Sequence, residues 1–282
     1  MWANFHTHCD YCDGKGPMQD YVDQAKQLGM ISLGISSHAP VPFDTKWCMK
    51  PERLDDYLKT IAEIKEAEDS LQIYAGLEVD FIPDVISPNV FSKKLDYTVG
   101  SIHFVDMLPE GLRWEIDGSH RLFLDGLKKI FQNDIKAAII RYYELTREMI
   151  STACPTIIGH LDKIKIQNVD GKFFSESEAW YQDEIKKTIT LIGSVGAIVE
   201  VNTRGIYQKK SDTTYPSPWI LSCLNEHNIP ITISSDAHHP KDLVNQFSET
   251  ATILHNIGFK TISILSDGVW QPFSFGEHGA IR

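Results

Sequence analysis

Short apolar runs alternate with segments of helical periodicity along the chain, and this alternation constrains the fold more than any other feature. The runs are almost continuously apolar, as expected for strands that are covered on both faces. They read WANF, MISLGIS, LQIYAGLEV, LDYTVGSI, TIIG, GAIVEV, IPITIS and FKTISIL, and the last seven end at Ser36, Val79, Ile102, Gly159, Val201, Ser234 and Leu265. About eight such strands predict a parallel α/β fold, closed as a barrel rather than left as a small open sheet.

Helical patterns separate most of these runs. PMQDYVDQAKQLGM and PERLDDYLKTIAEIKEAED have apolar residues at helical spacing, with Pro17 and Pro51 near their starts. The segment from about residue 104 to 153 departs from the alternation, because it has no strand pattern. It opens with the loop FVDMLPEGLRWEIDG and continues as two helical stretches. We therefore expect a single domain over residues 1–282, with a helical insertion between two strands.

Composition narrows the classes of partner and the cellular compartment. The formal net charge of −11 argues against nucleic-acid binding but leaves a small phosphorylated substrate possible, since a metal ion can reverse the local field. No apolar run approaches the roughly 20 residues that span a membrane, and no signal-peptide pattern is present. Five cysteines in no framework favour free thiols and a cytoplasmic location. Cys9 and Cys12 form a C-x-x-C pair, for which a redox role is the alternative.

Side chains that can bind metals follow nearly every predicted strand. In chain order they are His6, His8, His38, Glu78, His103, His160, Asp236, His238 and His239. The carboxyl ends of parallel strands meet on one face of a barrel, which is where active sites lie. A single histidine at a strand end is most often structural. So many unliganded imidazoles and carboxylates in one pocket would be costly to desolvate, and bound metal ions remove that cost.

The spacing of these residues supports a metal site. His6 and His8 are two residues apart, so on an extended chain they point to the same side and can bind one ion. Asp236 and His238 have the same spacing. Imidazole and carboxylate ligands suit zinc, iron or manganese, and the absence of a thiolate-rich set argues against a structural zinc site.

The motifs HTHCDYCDG, SSHAP, GLEVD, GSIHF, GHLDK and SSDAHH, in this order, resemble those of the polymerase and histidinol phosphatase (PHP) superfamily. The resemblance covers essentially the whole chain. It implies a distorted (β/α)7 barrel, similar to a TIM barrel, with two or three divalent metal ions. The implied ligands are His6, His8, Glu78 and Asp236 for the first ion, Glu78, His103 and His160 for the second, and Asp13, His38 and His238 for the third. Asp10 is the alternative to Asp13.

Within this superfamily the chain is most similar to the histidinol-phosphate phosphatases that stand alone, without a polymerase module. That similarity implies hydrolysis of L-histidinol phosphate to L-histidinol and phosphate, a step of histidine biosynthesis, with Glu78 and Asp236 in catalytic positions. One alternative is a phosphoesterase of the same fold that acts on another small phosphate ester or a nucleotide. A second is a non-catalytic metal-binding regulatory module, which predicts an eroded ligand set.

Several residues outside the ligand set are candidates for contact with the substrate. Arg204, just beyond a predicted strand, is expected to clamp the phosphate with its planar fork, and a surface salt bridge is the alternative. Lys163 and Lys165 are weaker candidates for the same task. His239 is expected either to protonate the leaving oxygen or to cap a loop.

The remaining polar residues carry less specific expectations. Asp106, Glu115 and Asp117 could meet a cationic amine of the substrate or form a solvated face. Glu200 and Asn202 are expected to support ligands or to pack. Surface roles are expected for His120, His227, His255 and His278, and core roles for Tyr142 and Tyr143.

Overall fold

Strands and helices alternate through most of the chain, and the computed structural model describes residues 1–281. The strands are β1 (Ala3–Asn4), β2 (Ser32–Ile35), β3 (Gln72–Ala75), β4 (Glu78–Asp80), β5 (Val99–Ser101), β6 (Phe104–Met107), β7 (Arg113–Glu115), β8 (Ile157–Ile158), β9 (Ile198–Asn202), β10 (Ile231–Ser234), β11 (Thr261–Ser266), β12 (Val269–Gly276) and β13 (Gly279–Ala280). The α-helices are α1 (Met18–Gln27), α2 (Leu54–Ala67), α3 (His120–Phe131), α4 (Ile135–Ala153), α5 (Ala179–Val195), α6 (Arg204–Tyr207), α7 (Pro218–Glu226) and α8 (Phe247–Ile257). None of the helices described is both long enough and apolar enough to cross a membrane.

Two parallel sheets carry the central strands. One has the order β1–β2–β3, and the other has the order β10–β9–β8–β5–β4. Isolated parallel bridges join the two sheets, one between Thr7 and Ala237 and one between His38 and Glu78. The residues of β2, β9 and β10 are all buried, which is why their sequences are almost continuously apolar. The parallel α/β class predicted from the alternation is confirmed.

The third apolar run is divided in the structure, although the sequence predicts one strand that ends at Val79. It forms β3, which pairs with β2, and β4, which pairs with β5, with Gly76 and Leu77 between them. The Tyr57 hydroxyl lies 2.8 Å from the carbonyl oxygen of Gly76 and 2.9 Å from that of Ile35, so it ties the break to β2. Glu78 consequently lies where the two sheets meet.

The segment from residue 104 to 153 contains the two predicted helices, α3 and α4, but it also contains a hairpin that the sequence analysis missed. β6 and β7 pair in antiparallel fashion, and the turn between them is closed by a hydrogen bond from Leu108 N to Leu112 O at 2.7 Å. Gly111 in this turn has a φ of 82°, a conformation that glycine adopts without strain. Pro109 and Gly111 between two short apolar stretches were the turn signal.

The last predicted strand also differs, because FKTISIL does not join the parallel sheets. It forms β11, which pairs in antiparallel fashion with β12, and β12 pairs with β13. Asp267 and Gly268 connect β11 to β12 with φ values of 52° and 77°. Positive φ at both residues is typical of a tight hairpin, and Asp-Gly is a preferred sequence for it. This dipeptide predicts the antiparallel pairing better than the apolar run predicts a parallel strand.

The insertion packs around the buried side chain of Trp114 in β7. Its ring centroid lies 5.3 Å from that of Phe123 and 5.6 Å from that of Phe131, both in α3. Gly126 of α3 faces the same indole ring, since a Cβ atom there would lie 2.1 Å from Trp114 Cδ1. The hairpin and α3 are therefore held together by an aromatic cluster that leaves no space for a methyl group.

We expect Gly126→Ala to lower the free energy of unfolding by about 1–3 kcal/mol, because the added methyl group forces the indole ring to move. The matched control is Gly193→Ala in α5, where a Cβ atom meets nothing within 4 Å. That change should raise stability by about 0.5–1 kcal/mol, because alanine favours the helix. Urea unfolding followed by circular dichroism measures both. Equal effects at the two positions would show that Gly126 is not a close packing contact.

Candidate metal centre

All nine side chains predicted to bind metal lie together near the carboxyl ends of the parallel strands. Their donor atoms form three groups, and within each group the atoms lie within 4.8 Å of one another. The groups are His6, His8 and Asp236; Glu78, His103 and His160; and His8, Asp13, His38 and His238. The sequence analysis assigned His8 to the first ion alone, whereas the structure places it in two groups. Two of the three groups therefore share His8, and the group of Glu78, His103 and His160 shares no side chain with them.

One oxygen of Glu78 faces the histidines that follow β1 and β2. Oε2 lies 2.9 Å from His38 Nδ1, 3.1 Å from His6 Nε2 and 3.5 Å from His8 Nε2. The Glu78 side chain is only 1% exposed, so water does not surround this carboxylate. A single carboxylate oxygen with three imidazoles around it has the arrangement expected of a ligand to more than one ion.

The other oxygen of Glu78 faces the histidines that follow β5 and β8. Oε1 lies 3.0 Å from His160 Nε2 and 3.6 Å from His103 Nε2. It also accepts a hydrogen bond from Ser101 Oγ at 2.6 Å, which fixes the orientation of the carboxylate. The two oxygens thus point toward different groups of histidines, and this geometry allows the carboxylate to bridge two ions.

The local backbone explains why the N-terminal histidines converge. His6 and His8 lie on an extended segment, and Thr7 between them points away, donating through Oγ1 to Gly34 O at 2.8 Å. The backbone of the segment is fixed on the other side as well, because His8 N donates to Ala237 O at 2.8 Å. The two imidazoles are therefore held on one side of the chain, as the spacing predicts.

Two buried carboxylates support the histidines from behind. Glu200 Oε1 lies 2.5 Å from His6 Nδ1, and its Oε2 accepts a hydrogen bond from His160 N at 2.6 Å. Asp80 Oδ1 lies 3.1 Å from His103 Nδ1. A carboxylate that accepts a hydrogen bond from Nδ1–H fixes the tautomer, leaving the lone pair of Nε2 free for a metal ion. Glu200 and Asp80 are therefore positioning residues for His6 and His103.

Unpaired donor atoms show that the site fits metal ions. Nε2 of His6, Nε2 of His8 and Nδ1 of His38 are buried, and none of them forms a hydrogen bond within residues 1–281, although each lies 2.9–3.5 Å from Glu78 Oε2. Buried polar atoms are rarely left without partners, because desolvation is not then compensated. Imidazole nitrogens and carboxylate oxygens are the donors that zinc, iron and manganese accept. The donor set and its unmet bonding capacity both match bound divalent cations.

The protonation states of His8 and Asp236 suit metal binding. Burial lowers the pKa of His8 well below its usual value, and neighbouring imidazoles lower it further. Burial alone would raise the pKa of Asp236, but the charges of His6 and Arg204 hold it well below the usual range. Neutral imidazole and ionised carboxylate are the forms that bind metals. His8 and Asp236 therefore have these forms near neutral pH. Against the effect of burial, neighbouring carboxylates raise the pKa of His6, and they raise that of His103 to about 10, so these two rings release a proton when an ion binds.

A cavity of about 240 Å³ opens onto this centre, and three cationic side chains line it: Lys163, Arg204 and Lys210. Arg204 Nη1 donates to the carbonyl oxygen of Asp236 at 2.6 Å and lies 2.6 Å from His238 Nδ1. Lys163 is buried, with Nζ 4.0 Å from Asp236 Oδ2. The structure therefore places Arg204 and Lys163 in the lining of this cavity, and their contact with phosphate stays a prediction. Lys210 was missed, because nothing in the polar sequence QKKSDTT distinguishes it.

Other predicted residues lie elsewhere. Asp13, with Oδ1 3.3 Å from His238 Nε2, belongs to the cluster, whereas Asp10 is exposed and belongs to none of the groups found in residues 1–281. The catalytic role expected for His239 does not fit its position. Its imidazole is exposed and accepts a hydrogen bond from Lys241 N at 3.3 Å, as in the loop-capping alternative.

Lys165 forms an ion pair and a hydrogen bond within the protein. Lys165 Nζ lies 2.8 Å from Asp162 Oδ2 and donates to Thr214 O at 3.0 Å, so its charge is neutralised within the protein.

Cys9 and Cys12 are free thiols, and burial raises their pKa values to about 11 and about 12. A thiol with so high a pKa is a poor nucleophile, which argues against the redox alternative.

We expect Glu200→Gln to weaken zinc binding about 10-fold to 100-fold, because a neutral amide no longer stabilises the required tautomer of His6. Zinc affinity is measured by competition with a chelating dye, so the readout does not depend on activity. Glu184→Gln is the control, because Glu184 is a buried carboxylate that pairs with Arg147 at 2.7 Å, outside the metal centre. Unchanged zinc affinity in Glu200→Gln would contradict the assignment of Glu200 as a positioning residue.

Comparison with known proteins gives consistent similarities. A Schizosaccharomyces pombe protein named "Probable histidinol-phosphatase" is 26% identical, and the alignment covers 95% of this chain and 90% of that protein. A solved structure from Listeria monocytogenes has a TM-score of 0.75 at 23% identity, covering 88% of this chain and 99% of that chain.

A second solved structure, histidinol phosphate phosphatase from Lactococcus lactis in complex with zinc, L-histidinol and phosphate, has a TM-score of 0.67 at 16% identity. The match covers 100% of this chain and 99% of that chain. The family model described as "PHP domain" matches residues 4–204, which is more than half of the sequence. The clustered histidines and carboxylates and this match lead to one conclusion: the chain belongs to the PHP domain family.

Proposed function

We propose that this protein is a metal-dependent phosphomonoesterase that hydrolyses L-histidinol phosphate to L-histidinol and phosphate, a step of histidine biosynthesis. The observation that carries the proposal is the position of the donor groups around Glu78 at the base of a cavity lined by Lys163, Arg204 and Lys210. A phosphatase of this type needs metal ligands and cationic side chains on the same cavity, and this chain has both. The name of the S. pombe relative and the ligands of the L. lactis structure support the choice of substrate.

The proposed cofactors are two or three divalent ions, which the donor set allows to be zinc, iron or manganese. His6, His8 and Asp236 would hold the first, and His103 and His160 the second, with Glu78 between them. Asp13, His38 and His238 would hold the third, next to His8. This set retains all the ligands that the resemblance implies, which counts against a non-catalytic module.

The proposal includes the finer architecture. The two parallel sheets meet at the Thr7–Ala237 bridge and at the His38–Glu78 bridge, and we take them as one distorted barrel of the (β/α)7 type. We take the chain as a single domain over residues 1–282, with residues 104–153 as its insertion. The free thiols of all five cysteines favour the cytoplasm as its compartment.

The reaction proposed is the attack of water on phosphorus with departure of the alkoxide. Bound divalent ions supply Lewis acidity, which lowers the pKa of water and neutralises charge on the phosphate oxygens. Arg204 and Lys163 would bind phosphate oxygens through charge-assisted hydrogen bonds and hold the ester in line for attack. Asp236 remains ionised because its pKa is low, so it can accept a hydrogen bond from the attacking water and orient it.

Phosphate release from L-histidinol phosphate, compared with a panel of other phosphomonoesters and nucleotides under defined zinc, iron or manganese, tests the proposal. We expect the highest kcat/KM with L-histidinol phosphate. Glu78→Gln is the matched variant, because it keeps the size of the side chain but removes the charge that allows bridging. Its activity should fall by several orders of magnitude while its circular dichroism spectrum is retained. Near-normal turnover would contradict the bridging role, and preference for a nucleotide would contradict the substrate.

We expect Arg204→Ala to lower kcat/KM, with a loss of transition-state stabilisation of about 2–4 kcal/mol. Lysine should restore only part of the loss, since a point charge does not reproduce a bidentate fork. Metal content is measured in parallel, because Arg204 Nη1 lies beside His238. Arg121→Ala on the exposed surface of α3 is the control and should leave kcat/KM unchanged. Unaltered turnover and phosphate inhibition in Arg204→Ala would exclude the clamp.

A further inference from the structure

The cavity above the metal centre has negative as well as positive side chains. Glu115 and Asp117 line it together with the three cations, although they come from the insertion and not from the parallel strands. Phosphate carries negative charge, so these carboxylates do not serve to bind it. Their presence beside a phosphate site requires another explanation.

The two carboxylates are held in fixed positions. They lie on either side of Ile116, where the chain bends after β7, and both line the same cavity. Ile116 N donates to His103 O at 3.0 Å, which ties this segment directly to a candidate metal ligand. Gln167 Nε2 donates to Ile116 O at 3.1 Å and to Gly118 O at 3.0 Å, so the backbone is anchored on both sides of Asp117. Such anchoring is expected of groups that must meet a ligand in a defined place.

Glu115 is also poorly compensated within the protein. Glu115 accepts one long hydrogen bond, 3.4 Å from Trp47 Nε1, and forms no ion pair with any residue in the range 1–281. Burial raises the pKa of Glu115, and the adjacent charge of Asp117 contributes to the rise. Asp117 is better compensated: burial alone would raise its pKa, but the charges of His103 and Lys163 hold it below the usual value, and Lys163 Nζ lies 3.9 Å from its Oδ2. The Tyr215 hydroxyl, in the lining of the same cavity, is buried without a hydrogen-bond partner in the described chain.

Asp117 lies close to the proposed phosphate site. Lys163 Nζ lies 3.9 Å from Asp117 Oδ2 and 4.0 Å from Asp236 Oδ2, so one ammonium group separates the acidic side of the cavity from the metal centre. A ligand that spans this gap has its phosphate and its positive group only a few bonds apart. Amino alcohol phosphates have this composition, and neutral alkyl phosphates do not.

We propose that Glu115 and Asp117 bind a cationic group of the substrate, an ammonium or an imidazolium, and thereby set the specificity of the enzyme for positively charged phosphate esters. The inference rests on the proposed phosphomonoesterase activity and deepens it. In this arrangement the metal centre and its cations bind the phosphate of any monoester, and the insertion selects among the alcohols. A cation placed beside Glu115 compensates a half-buried carboxylate that forms no ion pair with residues 1–281.

The chain offers a matched control for this proposal. Asp106, in the same hairpin, is exposed and does not line the cavity. Asp106→Asn therefore makes the same change of charge in the same element, outside the proposed contact. The sequence analysis grouped Asp106 with Glu115 and Asp117, and the structure separates them.

The test compares two substrates of similar size, O-phosphoethanolamine and ethyl phosphate, with metal-loaded full-length protein. We expect the unaltered protein to prefer the amine by about 10-fold to 150-fold in kcat/KM, the range for a hydrogen bond to a charged group. The double variant Glu115→Gln/Asp117→Asn should lose this preference because its kcat/KM for O-phosphoethanolamine falls. Its kcat/KM for ethyl phosphate and its metal content should be unchanged. Asp106→Asn should keep the preference. A double variant that keeps the preference, or that loses both substrates equally, overturns the proposal.

L-Histidinol phosphate, assayed in the same experiment, separates this inference from the proposed function. If the protein selects the amine through Glu115 and Asp117 but does not hydrolyse L-histidinol phosphate, the substrate assignment fails and the inference stands. If it hydrolyses L-histidinol phosphate equally well with and without the two carboxylates, the inference fails and the proposed function stands.

Discussion

The arrangement of the centre depends on one buried carboxylate, that of Glu78, and on the imidazoles around it. Burial alone would raise the pKa of this group, but the charges of His6 and His38 hold it well below its usual value. An ionised carboxylate without water is stable only when positive charge surrounds it. Divalent ions supply more charge than imidazolium groups do, and they also use the lone pairs that the histidines otherwise leave unpaired. The centre is therefore built for metal, and Glu78 is where its parts meet.

The rest of the fold serves to bring distant residues to this carboxylate. Parallel strands deliver histidines and Asp236 at their carboxyl ends, and the break between β3 and β4 places Glu78 itself at the junction of the two sheets. Glu200 and Asp80 fix the imidazole rings from the side away from the cavity. The insertion, which has its own aromatic cluster around Trp114, adds the negatively charged side chains of Glu115 and Asp117 to the lining of the cavity. The chemistry of phosphate and the selection of the alcohol thus come from separate parts of the chain.

The sequence allowed the clustering of these histidines and carboxylates to be predicted because the signals are local. A spacing of two on an extended chain, and a position just after an apolar run, are both visible without a structure. The same rule explains why the catalytic role expected for His239 does not fit. The backbone is extended at His239, so adjacent side chains point to different sides, and His239 does not follow His238 into the centre. Lys210 and the carboxylate of Asp80 could not be identified, because their importance depends on which elements pack beside them. The hairpin and the antiparallel β11 were missed for a different reason, since their Gly turns were given less weight than the apolar runs.

Anomalous X-ray diffraction from crystals of the active, zinc-loaded protein tests the central claim most directly. The arrangement around Glu78 predicts two or three strong zinc peaks at the carboxyl ends of the strands, with at least two of them in contact with the Glu78 carboxylate. Each peak should lie among one of the three groups of donor atoms found in the structure. Active crystals with no peak at these groups, or with zinc bound only elsewhere on the protein, would contradict the account.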